Sequence, residues 1–113
     1  MVLIDALLPR VKANLILQHD EDDTLLKGII LAALSYAEIF QRKPPGLYTA
    51  DEATGEGMKP TTEQAVIMLA SHLYESRDGS TGGFFADNPG AARQSLETVD
   101  RLLALDKEWM IAQ

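Results

Sequence analysis

An all-α fold, a small bundle of about four helices with a long second helix and extended loops, follows from three features of the sequence. Apolar residues recur every three or four positions in four separate windows. No window alternates apolar and polar residues as a half-buried strand would. Acids, prolines and glycines stand between the windows where helices start and stop. With 113 residues the chain is expected to be one domain over 1–113.

The first window runs from about Ile4 to Leu17, with Ile4, Leu7, Leu8, Val11 and Leu15 at helical spacing. Pro9 is best tolerated in a first turn, so the regular helix is expected to begin at Leu8 or Pro9 after a looser lead-in. The acids from Asp20 to Asp23 suit the N-terminus of the next helix, which spans about Asp22 to Arg42. This helix carries two apolar stripes. Leu26, Ile30, Ala33, Ala37 and Phe40 form one; Leu25, Ile29, Ala32, Tyr36 and Ile39 form the other, leaving Lys27, Ser35, Glu38 and Gln41 as the polar face. So wide an apolar arc exceeds what a two-layer domain needs, so the helix is either the strut of a bundle or faces another subunit.

Pro44-Pro45-Gly46 ends it, and 44–60 reads as a long loop anchored by Leu47, Tyr48 and Met58. Thr61 with Gln64 has the form of a capping box and opens the third helix, which continues to about Ser76. Its apolar side holds Ala65, Met68, Leu69, His72 and Leu73, broadened by Val66, Ala70 and Tyr74. Asp78-Gly79 stops it, and a glycine-rich stretch leads to Phe84 and Phe85. Asn88-Pro89 starts a fourth helix with Leu96, Val99, Leu102, Leu103 and Leu105 as its buried side. Trp109, Met110 and Ile111 follow near the end.

Composition excludes several functions. There are no cysteines, hence no disulfide, thiolate nucleophile or cysteine–zinc site. The formal charge of −7, from 17 acids against 10 bases, opposes tight binding to nucleic-acid phosphates. It still allows an acidic surface past which DNA slides. The run Met1 to Leu8 has no basic stretch before it and is soon broken by Pro9, Arg10 and Lys12, unlike a signal peptide, and no apolar run reaches membrane-spanning length. Synthesis in the cytoplasm, with no membrane partner, is expected.

Catalytic and metal-binding patterns fail in turn. From Asp20, the sixth and twelfth positions of a calcium loop hold Leu25 and Leu31 instead of glycine and glutamate. His19 and His72 lie on different segments. No nucleophile elbow, Walker loop or dinucleotide-binding glycine pattern exists. The expectation is a protein that is not an enzyme, with no catalytic, cofactor or metal site.

Two features exceed the needs of a lone domain: the second stripe of the long helix, and the apolar groups in loops and near the end. Leu25, Ile29, Ala32 and Tyr36 are therefore expected at a subunit interface, and Tyr48, Phe84, Phe85 and Trp109 at partner docking sites. Ile29→Asp is expected to block assembly while leaving a helical monomer.

Three blocks carry a family likeness: Val11 to Leu15; Asp20 to Leu26 continuing through Ala32 to Glu38; and Gln64 to Arg77. Val99-Asp100-Arg101-Leu102-Leu103 adds to them. In order and spacing the chain resembles the head–tail connector (adaptor) proteins of long-tailed phages, which are associated with DNA packaging. It differs in a longer 44–60 loop and in its end after Leu105. The resemblance implies a structural subunit of a homo-oligomeric ring of about a dozen copies at the head–tail junction of the virion. Such a ring docks under the portal protein, meets a head-closure or tail protein below, and extends a channel through which DNA passes without sequence-specific binding. The competing readings are a soluble helical regulatory protein that binds one partner protein, and a small hydrolase built on the acidic cluster. The second would show metal-dependent stabilisation.

Overall fold

The structure, a computed structural model, describes residues 2–76 and 89–107, with side chains for all of these except 89–92. Four helices make up the described chain: α1 Val2–Leu15, α2 Asp23–Phe40, α3 Pro60–Ser76 and α4 Pro89–Ala104. No strand occurs among the described residues, as the missing period-two pattern implies.

Side-chain bonds set the directions. Lys12 meets Asp23 and Asp5 meets Lys27, so α1 runs antiparallel to α2. Gln41 bonds Thr62 and Asp22 bonds Tyr74, which makes α3 antiparallel to α2. Tyr36 to Asp100 and Gln41 to Leu103 set α4 parallel to α2. Every other helix packs on α3; α1 also packs on α2 and does not reach α4. The core is built from Leu7 and Val11 of α1, Leu26, Ile30 and Leu34 of α2, Val66 of α3, and Val99 and Leu103 of α4.

Helix α1 begins six or seven residues earlier than Pro9 alone implies, with the proline inside it. An interior proline costs about 3 kcal/mol. The buried side chains of Leu3, Ile4 and Leu7 offset this, at about 1.5–3 kcal/mol each. The start of α3 also differs from expectation. Pro60 occupies the first helical turn, where its missing N–H costs nothing, so Thr61 lies within the helix and is not its cap. Among the described side chains of α4, Val99 and Leu103 are fully buried, Leu102 is half-buried and Leu96 faces out, as does Leu105 just past its end.

The 44–60 segment is a chain of turns fastened to the bundle. Glu38 and Gln41, read from sequence as surface groups, are both buried and hold it. The Glu38 carboxylate accepts from the backbone N–H groups of Gly46 (3.0 Å) and Tyr48 (2.9 Å) and from the Thr49 hydroxyl (3.2 Å). Further along, Gly55 adopts φ +82° and lies against Leu3: a Cβ there would sit 2.8 Å from the leucine Cδ1. Gly55→Ala is therefore expected to cost about 1–3 kcal/mol through combined backbone strain and overpacking. Urea unfolding should show this as a lower midpoint with an unchanged slope.

Candidate assembly surface

The two stripes of α2 part company in the fold. Leu26, Ile30, Ala33 and Ala37 are completely buried, and Phe40 packs against the core. On the other stripe Leu25 is 44% exposed, Tyr36 42% and Ile39 73%, with Ala32 exposed between them. Gly28 adds an open position where a Cβ would meet nothing within 4 Å. At 100° per residue, Leu25, Gly28, Ala32, Tyr36 and Ile39 fall within one narrow sector running the length of the helix. This sector is free of charge. The wide apolar arc is thus real, and half of it is left open by the other described helices.

Fixed contacts flank this face. The Tyr36 hydroxyl donates to the Asp100 carboxylate of α4 at 2.7 Å. Partial burial, with the carboxylate bond adding to it, pushes the phenol up to about 12, so it stays a donor at neutral pH. The Tyr36 ring stacks on Phe40 with centroids 6.0 Å apart, and the Lys107 ammonium sits 4.8 Å over Phe40. Tyr36 thereby presents a held ring, with little rotamer freedom left to lose on contact.

Of the residues expected at a subunit interface, Leu25, Ala32 and Tyr36 lie on the open face. Ile29 is half-buried and packs against the core, so a charge at that position strikes the fold as well as the surface. Ile39, the most exposed member, was placed in the stripe by sequence but not singled out. Tyr48 departs from its expected docking role. Its side chain is buried, its hydroxyl donates to Gln41 Oε1 at 2.5 Å, and burial pushes its phenol upward, so the ring belongs to the core. The other expected docking residues, Phe84, Phe85 and Trp109, lie outside the described residues.

At the N-terminal end of α2 the Lys12 ammonium bridges Asp20 (2.5 Å) and Asp23 (2.8 Å). The bond to Asp20 raises Lys12 above its ordinary value, and the same ammonium holds Asp20 below its own. The lowered carboxylate contributes stability above its ordinary value of 3.8, which is lost as pH falls through its folded value below that. The raised ammonium contributes below 10.5, and that contribution disappears as pH climbs through the higher folded value. The stability difference between wild type and Lys12→Met should accordingly stay level across neutral pH and shrink at both extremes. A pH series of thermal unfolding curves reads it.

Among the described residues no group of three or more histidine, aspartate and glutamate side chains could hold a metal ion. None of their helices is long and apolar enough to cross a membrane. The features that stand out among the described residues are packing surfaces, four packed helices with one charge-free face of α2 turned outward, as a structural class of protein presents. Comparison of the chain with family models gives that class its family. Residues 5–98 match the phage gp6-like head-tail connector proteins, and the chain belongs to that family. It is a phage head–tail connector protein, structural and not enzymatic. Neither the curated proteins nor the solved structures contain a match to the chain.

Proposed function

We propose that this connector protein is the subunit of a ring of about a dozen copies at the head–tail junction of the virion. The ring docks beneath the portal protein and extends the DNA channel, and a head-closure or tail protein binds its far side. The open face of α2 carries the reading: Leu25, Ala32, Tyr36 and Ile39 form an apolar strip that a solitary chain leaves in water. In a closed ring each copy meets its neighbour through two different surfaces, and the α2 strip supplies one of them. The net charge of −7 suits a channel wall from which DNA phosphates must slide free.

Electron microscopy of portal particles incubated with the purified chain tests the proposal. A second ring of density beneath the portal is the expected result. Portal particles unchanged at saturating concentrations of the chain would count against it.

A further inference from the structure

We propose that the α1–α2 junction is a hinge and that, in the assembled form, α1 packs on a neighbouring copy instead of on its own α2 and α3. The inference rests on the ring reading above and specifies how the copies are joined.

The end of α1 is not written into the local sequence. No glycine and no proline occur between Pro9 and Gly28. The helix nevertheless stops at Leu15, closed by bonds from the Leu17 N–H to the Lys12 carbonyl (2.9 Å) and from the Ile16 N–H to the Ala13 carbonyl (3.2 Å). That closure puts Ile16 at φ 59°, the left-handed position that glycine ordinarily fills. A β-branched residue is an outlier there. Arg42, which closes α2 at φ 60°, is different, because Pro44-Pro45-Gly46 forbids continuation whatever Arg42 does.

The start of α2 is equally under-specified. Asp22 stands at the N-cap but makes no side-chain cap bond, and its carboxylate takes the Tyr74 hydroxyl instead. The bend is thus maintained by tertiary contacts: Lys12 on Asp20 and Asp23, and Tyr74 on Asp22. Steric strain at Ile16 opposes them. An element with strain on one side and breakable polar contacts on the other has two accessible arrangements.

Helix α1 is suited to exchange. Its buried residues, Leu3, Ile4, Leu7 and Val11, pack on α2, on α3 and, through Leu3, on the Gly55 turn, and among the described residues α1 has no helix–helix packing with α4. Passing α1 to the next copy recreates the same buried contacts there, so their net energy is unchanged. Relief of the Ile16 conformation then favours the exchanged form, and a strained hinge is the setting in which such exchange arises. Passed head to tail, the exchange closes a ring; made reciprocally, it yields only dimers.

Cross-linking decides the matter, and the chain's lack of cysteine makes it clean. Asn14 Nδ2 of α1 donates to Ser71 Oγ of α3 at 2.7 Å, so Asn14→Cys with Ser71→Cys places a pair across the α1–α3 contact. A short bismaleimide applied to the assembled full chain is expected to give a covalent ladder extending past the dimer on a denaturing gel. An oligomer cross-linked only within single chains would overturn the exchange and leave the ring reading intact. Absence of any oligomer from the unmodified chain, with and without portal, overturns both.

A second variant does not depend on the cysteine pair. Ile16→Gly removes the strain that drives exchange, and should raise the concentration at the assembly midpoint by roughly fivefold or more. Ile16→Ala removes the side chain while keeping most of the strain, and should stay closer to wild type. Equal midpoints for the glycine variant and wild type would contradict the proposal.

Discussion

Gln41→Leu is expected to cost roughly 3–5 kcal/mol of folding stability, a large share of what a domain of this size has. Gln41 is fully buried where the end of α2, the start of α3, α4 and the 44–60 segment meet. Its Nε2 group donates to Thr62 Oγ1 (2.7 Å) and to the Leu103 carbonyl (2.9 Å), while its Oε1 accepts from the Tyr48 hydroxyl. Leucine matches the volume but leaves the Thr62 and Tyr48 hydroxyls without their amide partner, while the Leu103 carbonyl keeps the Asp106 N–H. Each such group costs about 1–3 kcal/mol. Tyr48→Phe removes one bond and leaves only Oε1 unmet, so about 1–2 kcal/mol is expected. The double variant should fall short of the sum, because the two residues share a bond. Chemical denaturation measures all three; a loss below about 1 kcal/mol for Gln41→Leu would mean that the junction is not held by this amide.

The other large effect concerns assembly and not folding. Leu25→Asp combined with Ile39→Asp places two charges on the open face of α2, one near each end. Neither side chain belongs to the core cluster, so the monomer's helix content should be retained and its stability should change by little more than about 0.5 kcal/mol per site. Burying an unpaired carboxylate against a neighbouring copy costs several kcal/mol, so the ring should fail to form at any accessible concentration. Circular dichroism and light scattering on the same sample separate the two properties. Ile29→Asp is the poorer probe, because that residue packs against the core.

These two predictions mark what could and could not be read from the chain. The buried stripe of α2 and its outward twin were both visible as helical periodicity, which depends on residue order alone. The Leu25 stripe was expected to face outward, but that its member Ile29 would pack against the core was not visible, since that depends on how the neighbouring helices pack. Glu38 and Gln41 read as surface groups because polarity is the only local cue they carry. Their burial follows from the Pro44-Pro45-Gly46 turn, which folds the chain back over them and supplies donors to the Glu38 carboxylate. Tyr48 reversed its expected role for the same reason: an aromatic residue in a loop looks available until its loop is seen to be tied down. Pro9 misled in the opposite sense, since its local penalty was legible and the burial of Leu3, Ile4 and Leu7 that outweighs it was not. Ile16 left no signal at all, because nothing in its neighbours announces a left-handed residue.

Net charge, lack of cysteine and failed motifs left little in the sequence that points to catalysis or to grip on nucleic acid. The family match then supplied the family, the phage gp6-like head-tail connectors. In the ring proposed above, the outward strip of α2 is the surface that meets a neighbouring copy.

Native mass spectrometry of the full chain, at rising concentration and with portal protein added, tests this most directly. The expected spectrum shows one closed multimer near twelve copies for wild type and only monomer for the Leu25→Asp, Ile39→Asp variant. A wild-type chain that stays monomeric throughout, or a variant that assembles as wild type does, would contradict the account.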